Sequence, residues 1–373
     1  YSNISQANCI LMWADENASV LSEADRNQIR GEALALRAYL HFDLYRLFSP
    51  DVKRHPQAEG IPYNKEFGVS IPPMYTAEES LQLVINDLLE AEQCLQNDPI
   101  VNVVPYAIRS EGDRGEVIDA AAKDEADQYV ARMNLYAVKA LLARVYQARG
   151  QNDLAIQKAK EVIESGKFRL LEFSSIDQSE VEADVLFTDE HIFSLRNNDL
   201  SEYSEQIHRR TVYDNGSSQA TALPFGETYA LYEGNNDDAR YSEWFNNGQF
   251  TKFMPDSANI YTNKMPMIKL SEMYLLVAEC SFDTDPEEAL EYVNTLRDHR
   301  IRNNVHWTQL TEEYIHEEME REFIGEGQMW YVYKRNHLAL PGNNTVQQIE
   351  PSDDVFVLPL PETEVEDGHR NER

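Results

Sequence analysis

Three glutamates, Glu320, Glu322 and Glu326, fall on one predicted helix, and paired carboxylates are what a glycoside hydrolase uses as acid and as nucleophile or base. Arg321 stands between the first two, which favours ion pairs over acid–base work. His316 with Glu317, Glu318 and Glu320 has no second histidine at a helical step, so zinc spacing fails and a solvated face is the better reading. Asn235–Asp238 could offer oxygens to calcium on residue type alone. No glycine-rich phosphate loop or nucleophile elbow is present. The three cysteines, Cys9, Cys94 and Cys280, lack CxxC spacing and sit in helical apolar patterns, which predicts buried free thiols and leaves the redox compartment open.

The bulk properties exclude further classes. A chain of 373 residues, 42% hydrophobic and 10% aromatic, can bury a sizeable core. Its 65 acids against 33 bases give a formal charge of −32, and no basic patch is concentrated enough for nucleic acid or an anionic membrane surface. No apolar run approaches a membrane span, and no signal peptide is evident. The chain opens on Tyr1 already in helical pattern, as expected of a processed or truncated chain.

The elements that would position any site are mostly helical. Arg30–Phe48 carries Leu36, Leu40, Leu44 and Leu47 at helical steps, with Leu34, Ala38, Phe42 and Tyr45 on the adjoining flank, so this helix should be covered on more than one side. Glu32, Arg37, Asp43 and Arg46 interrupt it and predict internal salt bridges. A proline-rich loop follows, then a helix from Thr76, with Glu79 completing a capping box, that can pack back on the first. Asn97–Asp127 reads as a polar insertion. Residues 133–168 have tetratricopeptide spacing, with Ala143, Tyr146, Gly150, Ala155 and Ala159 at the expected crossing and turn. Leu170–Asn263 loses helical period, with short strands possible at Val185–Leu195, and is rich in aromatics and amides; a long irregular segment of this kind is usually functional. Helices return at Met265–Phe282, Pro286–His299, Thr311–Ile324 and Gln328–Arg335, before a tail whose VFVLPLPETEVE looks extended.

Three segments together resemble the SusD/RagB family of surface glycan-binding lipoproteins. They are GEALALRAYLHFDLYRLF followed by EGIPY; MIKLSEMYLLVAEC with ALEYVNTLRDHR; and EEMEREFIGEGQMWYVYKRN with the closing VFVLPLPETEVE. Gln328-Met329 and Val332-Tyr333 depart from the family's pattern around Trp330, which bears on subfamily. The resemblance implies a mainly α fold, a single domain of tetratricopeptide-like helix pairs forming a right-handed superhelical scaffold (1–99, 130–168 and 264–340). An irregular, aromatic-rich ligand-binding region (100–129 and 169–263) and an extended tail (341–373) would complete it.

It also implies the role: non-catalytic binding of a glycan and its delivery to a TonB-dependent SusC-like transporter in the outer membrane. Membrane attachment would be only through a lipid anchor absent from this chain, and no cofactor is implied. Sugar binding needs aromatic faces for the apolar side of the ring and amides or charges for its hydroxyls. Tyr203, His208, Arg209, Tyr213, Asn215, Trp244 and Asn246 are the leading candidates, followed by Tyr106 and Arg109. Tyr229, Tyr232 and Phe253 surround a DDAR segment similar to a structural motif of the family and should be core. The alternatives are a helical-repeat adaptor that binds a peptide in its grooves and a glycoside hydrolase.

Overall fold

A computed structural model of the chain describes residues 1–107, 120–173, 176, 184–200, 202–203, 209–214, 217–222, 231–232, 237–246, 249–253, 263–342, 347–368 and 370. In chain order its helices are α1 (Ser2–Glu16), α2 (Glu23–Phe48), α3 (Ala77–Cys94), α4 (Ala120–Val130), α5 (Leu135–Arg149), α6 (Asn152–Ile163), α7 (Ala239–Trp244), α8 (Leu270–Ser281), α9 (Pro286–Asp298), α10 (Glu312–Phe323), α11 (Met329–Asn336), α12 (Asp353–Phe356) and α13 (Glu362–Glu366). The strands are β1 (Glu59–Pro62), β2 (Met74–Thr76), β3 (His191–Arg196), β4 (Arg209–Asp214), β5 (Ser217–Ala222), β6 (Phe245–Asn246), β7 (Gln249–Phe250) and β8 (Lys264–Lys269), paired β1–β2, β3–β8, β4–β5 and β6–β7. The chain is mainly helical, and none of its described helices is long and apolar enough to cross a membrane.

Two compact units partition the chain. The first comprises Tyr1–Asn102, Met133–Lys158 and Gln328–Arg373, the second Val103–Arg132 and Ala159–Gly327. Helices α8 to α10 fall in the same unit as the described residues of the irregular region.

In the first unit, α1 buries Ile4, Ala7, Leu11 and Ala14, the single stripe that a 3.6-residue period allows, and packs on α2. Ser22 caps α2 by accepting the Asp25 amide. The covered side of α2 is Ala33, Leu34, Ala35, Ala38, Phe42 and Tyr45, whereas Leu36 is 37% exposed and Leu40, Leu44 and Leu47 are half-buried. The leucine stripe is thus the outer side, because the small alanines let neighbouring helices approach more closely than leucines would. The predicted capping box is present: Thr76 Oγ1 accepts from the Glu79 amide, and Glu79 Oε2 accepts from the Thr76 amide. Leu81, Val84, Ile85 and Leu88 of α3 are buried, and α3 packs on α2. Gly150 takes the left-handed conformation, φ 78°, that ends α5 at the predicted turn. The tail is less extended than its prolines suggest, forming α12 and α13.

In the second unit, the helix foreseen from Met265 begins only at Leu270. Residues Lys264–Lys269 are instead β8, antiparallel to β3 with Pro266 opposite Ser194. Pro266 biases Met265 to extended backbone, and the alternation of KMPMIK fits a strand. Pro286 sits in the first turn of α9, whose cap is Asp285. Of the three thiols, Cys280 is buried, while Cys9 and Cys94 are only half-buried.

Candidate functional site

The DDAR segment organises the interior of the second unit. Asp238 caps α7 and holds Arg240 in a bidentate ion pair, and Arg240 meets Glu318 at 2.7 Å. Glu318 also accepts from Arg297 and Arg321. Arg300 joins Glu190 at 2.7 Å to Glu322, and Lys269 bridges Glu322 and Glu326. These charges are fully or almost fully buried, so each must be compensated by its neighbours. Burial pushes the Glu318 carboxyl up, but Arg240, Arg321 and Arg297 outweigh it and hold it at about 2. Glu322 is likewise held well below the carboxylate range, burial being overcome by Arg300 and Lys269. A general acid needs the opposite shift, so neither Glu318 nor Glu322 is poised as an acid, and the Glu322 carboxylate is taken up by Arg300 and Lys269; Glu320 is pushed up by burial.

Lys252 extends this network. Its ammonium bonds Glu326 at 2.6 Å and lies 3.6 Å from the centre of the Trp244 ring. Burial lowers it to about 8 despite Glu326. Trp244 is 1% exposed, donates its Nε1–H to the Val185 carbonyl at 2.7 Å, and packs on Phe187. This corrects its placement among the ligand-binding candidates: a ring fully enclosed, with a buried ammonium near its centre, offers no surface for a sugar. Tyr232 and Phe253 are core as anticipated, 2% and 3% exposed, and Tyr229 lies outside the described residues.

Among the candidate aromatics with described side chains, Tyr203 is the one whose ring stands out, at 52% exposed. Its amide donates to the Asp199 carbonyl in a helical turn, with Leu200 buried beside it in the chain. Asn197, Asn198 and Asn263 surround the base of that turn: the Asn197 amide donates to the Asn263 carbonyl, Asn197 Oδ1 accepts from the Asp199 amide, and Asn263 Nδ2 donates to Asn198 Oδ1. An exposed phenol suits the apolar face of a sugar, and side-chain amides suit its hydroxyls. Tyr106 is half-buried with the Arg169 guanidinium 4.8 Å over its ring. Arg209 and Tyr213 stand on β4 opposite Ala222 and Ser218, and Asn246 stands on β6 opposite Gln249. His208, Asn215 and Arg109 lie outside the described residues. The asparagines beside Tyr203 went unnoticed in the sequence, where isolated amides carry no periodic signal. The calcium reading of Asn235–Asp238 loses Asp238, which is committed to Arg240; among the described residues no group of three or more His, Cys, Asp or Glu side chains could hold a metal ion.

The mainly helical chain is similar to solved structures. Over 99% of its length it resembles a SusD superfamily protein from Bacteroides thetaiotaomicron VPI-5482, with TM-score 0.74, 23% identity and 83% of that chain covered. Over its full length it resembles a putative sugar binding protein from Bacteroides vulgatus ATCC 8482, with TM-score 0.74, 23% identity and 83% of that chain covered. A laminarin binding SusD-like protein aligns with TM-score 0.58 and 20% identity over 89% of this chain and 75% of its own. The model of the SusD family matches residues 190–364, and that of the group described as starch-binding associating with outer membrane matches residues 1–110. The two matches do not overlap and take in most of the chain, which belongs to the SusD family. No curated protein sequence matches it.

Proposed function

We propose that this protein is a non-catalytic receptor that binds a neutral oligo- or polysaccharide and passes it to a TonB-dependent SusC-like transporter at the outer membrane. Family membership supports the ligand class and the location. The observation that carries the reading in this chain is Tyr203, an exposed ring whose amide is tied to Asp199, next in the chain to the hydrogen-bonded Asn197 and Asn198. Arg209 and Tyr213 on β4, Asn246 on β6 and Tyr106 are the further residues we propose for the same ligand. Glycoside hydrolysis fits poorly, because Glu318 and Glu322 of α10 and Glu326 beyond it are held in buried ion pairs; Glu320 differs, its carboxyl being pushed up by burial.

Titration calorimetry against starch-derived and β-1,3-linked glucans tests this, laminarin being included because a structural neighbour is described as binding it. Tyr203→Ala should weaken the best ligand about 3- to 10-fold, the worth of one aromatic stacking contact, with the melting temperature unchanged. Binding of peptides but no glycan would refute the proposal in favour of a helical-repeat adaptor.

A further inference from the structure

The first unit contains a cleft of about 440 Å³ between α1, α2, α3 and the loop that follows β1, inside the ~300–1,000 Å³ range of small-molecule sites. Leu11, Met12, Leu34 and Phe67 supply its apolar wall. Phe67 is 51% exposed and Met12 39%, so the wall is open to solvent. Across the cleft stand three cations, Arg30, Arg37 and Lys65, and three anions, Asp15, Glu66 and Glu90. The lining is therefore electrically balanced. Arg30 already pairs with Asp15 at 2.5 Å and Glu90 at 2.7 Å. Arg37 is fastened to Asp87 through two bonds and donates to Asn8 Oδ1 and to the Lys65 carbonyl. Neither guanidinium is left to capture an ionic ligand.

What the lining retains is hydrogen-bonding capacity of both kinds. Asp15 and Glu90 side chains are 57% and 48% exposed, so they keep acceptor lone pairs toward solvent, and the Lys65 ammonium supplies donors. A hydroxyl both donates and accepts, and a sugar ring carries several around an apolar CH face. The loop is also held in place beforehand: Asn8 Nδ2 donates to the Asn64 and Glu66 carbonyls, and the Asn64 amide donates to His41 Nε2. Such fixing lowers the entropic cost of binding.

We infer that this cleft is a second carbohydrate site, separate from the Tyr203 surface, in which a neutral sugar ring lies against Phe67 with its hydroxyls among Lys65, Glu66, Asp15 and Glu90. The inference shares a ligand class with the proposed function and not a site, and it stands if Tyr203 plays no part in binding.

Hydrogen-exchange mass spectrometry with millimolar maltoheptaose, laminarihexaose and cellohexaose tests it. At least one of these should slow exchange across Asn64–Phe67 in the parent chain and in Tyr203→Ala. Phe67→Ala should weaken that protection about 3- to 10-fold with an unchanged melting temperature, since the ring is half in solvent. Protection equal in Phe67→Ala and parent, protection abolished by Tyr203→Ala alone, or no protection by any of the three sugars would each overturn the inference.

Discussion

Two side chains decide most at the residue scale. Trp244 fills the core with its indole N–H satisfied and a lysine ammonium near its ring. Trp244→Ala should cost about 3–5 kcal/mol in urea unfolding, the range for large aromatic truncations in a packed core; a loss under 1 kcal/mol would contradict that placement. His41 is buried between α2 and the loop after β1. Its Nε2 accepts from the Asn64 amide, so Nδ1 carries the proton and donates to the Arg37 carbonyl, and its ring stacks on Tyr63 at 3.7 Å. Burial lowers its pKa from 6.5 to about 4. Between those values the unfolded chain binds the extra proton, so this contribution is complete above pH 6.5 and is lost as pH falls to 4. Its size is ~3 kcal/mol. Chemical denaturation at pH 7 and pH 4.5 should show a smaller pH dependence for His41→Gln than for the parent.

At the scale of elements, the turn after α10 separates space from backbone strain. Gly325 and Gly327 both have positive φ, 75° and 71°. A Cβ on Gly325 would lie 2.5 Å from the Phe250 ring, whereas one on Gly327 meets nothing within 4 Å. Gly327→Ala should therefore cost ~1–2 kcal/mol from conformation alone, and Gly325→Ala a further ~1–3 kcal/mol from the clash. Equal melting temperatures for the two variants would show that Phe250 yields freely. Most helices were legible because their signals are local: the Thr76–Glu79 box, Pro286 at the start of α9 and Gly150 after α5 each act within one turn. Strand β8 was not, since KMPMIK becomes a strand only beside β3, about 70 residues earlier in the chain.

At the scale of the whole molecule, the formal charge of −32 gives the proposed glycan binding an electrostatic test. Neutral polysaccharides should bind without strong salt dependence, whereas polyanions such as polygalacturonate should bind weakly at low ionic strength and less weakly as salt screens the repulsion; affinity gels at two salt concentrations distinguish these outcomes. The family was recognisable from three linear segments, whose residues now have physical roles: Arg37 grips Asp87, while Arg297, Glu318, Glu322 and Arg300 form one buried network. Residue order was enough for the helices, the caps and the family, because periodicity, capping and motif spacing all operate along the chain. Tertiary structure alone decided which aromatics face water. Trp244 and Tyr203 have similar polar, aromatic-rich neighbours in sequence, yet one is 1% and the other 52% exposed. That difference depends on partners distant in the chain: the Val185 carbonyl takes the Trp244 N–H, and Lys252, which lies over the ring, is itself held by Glu326.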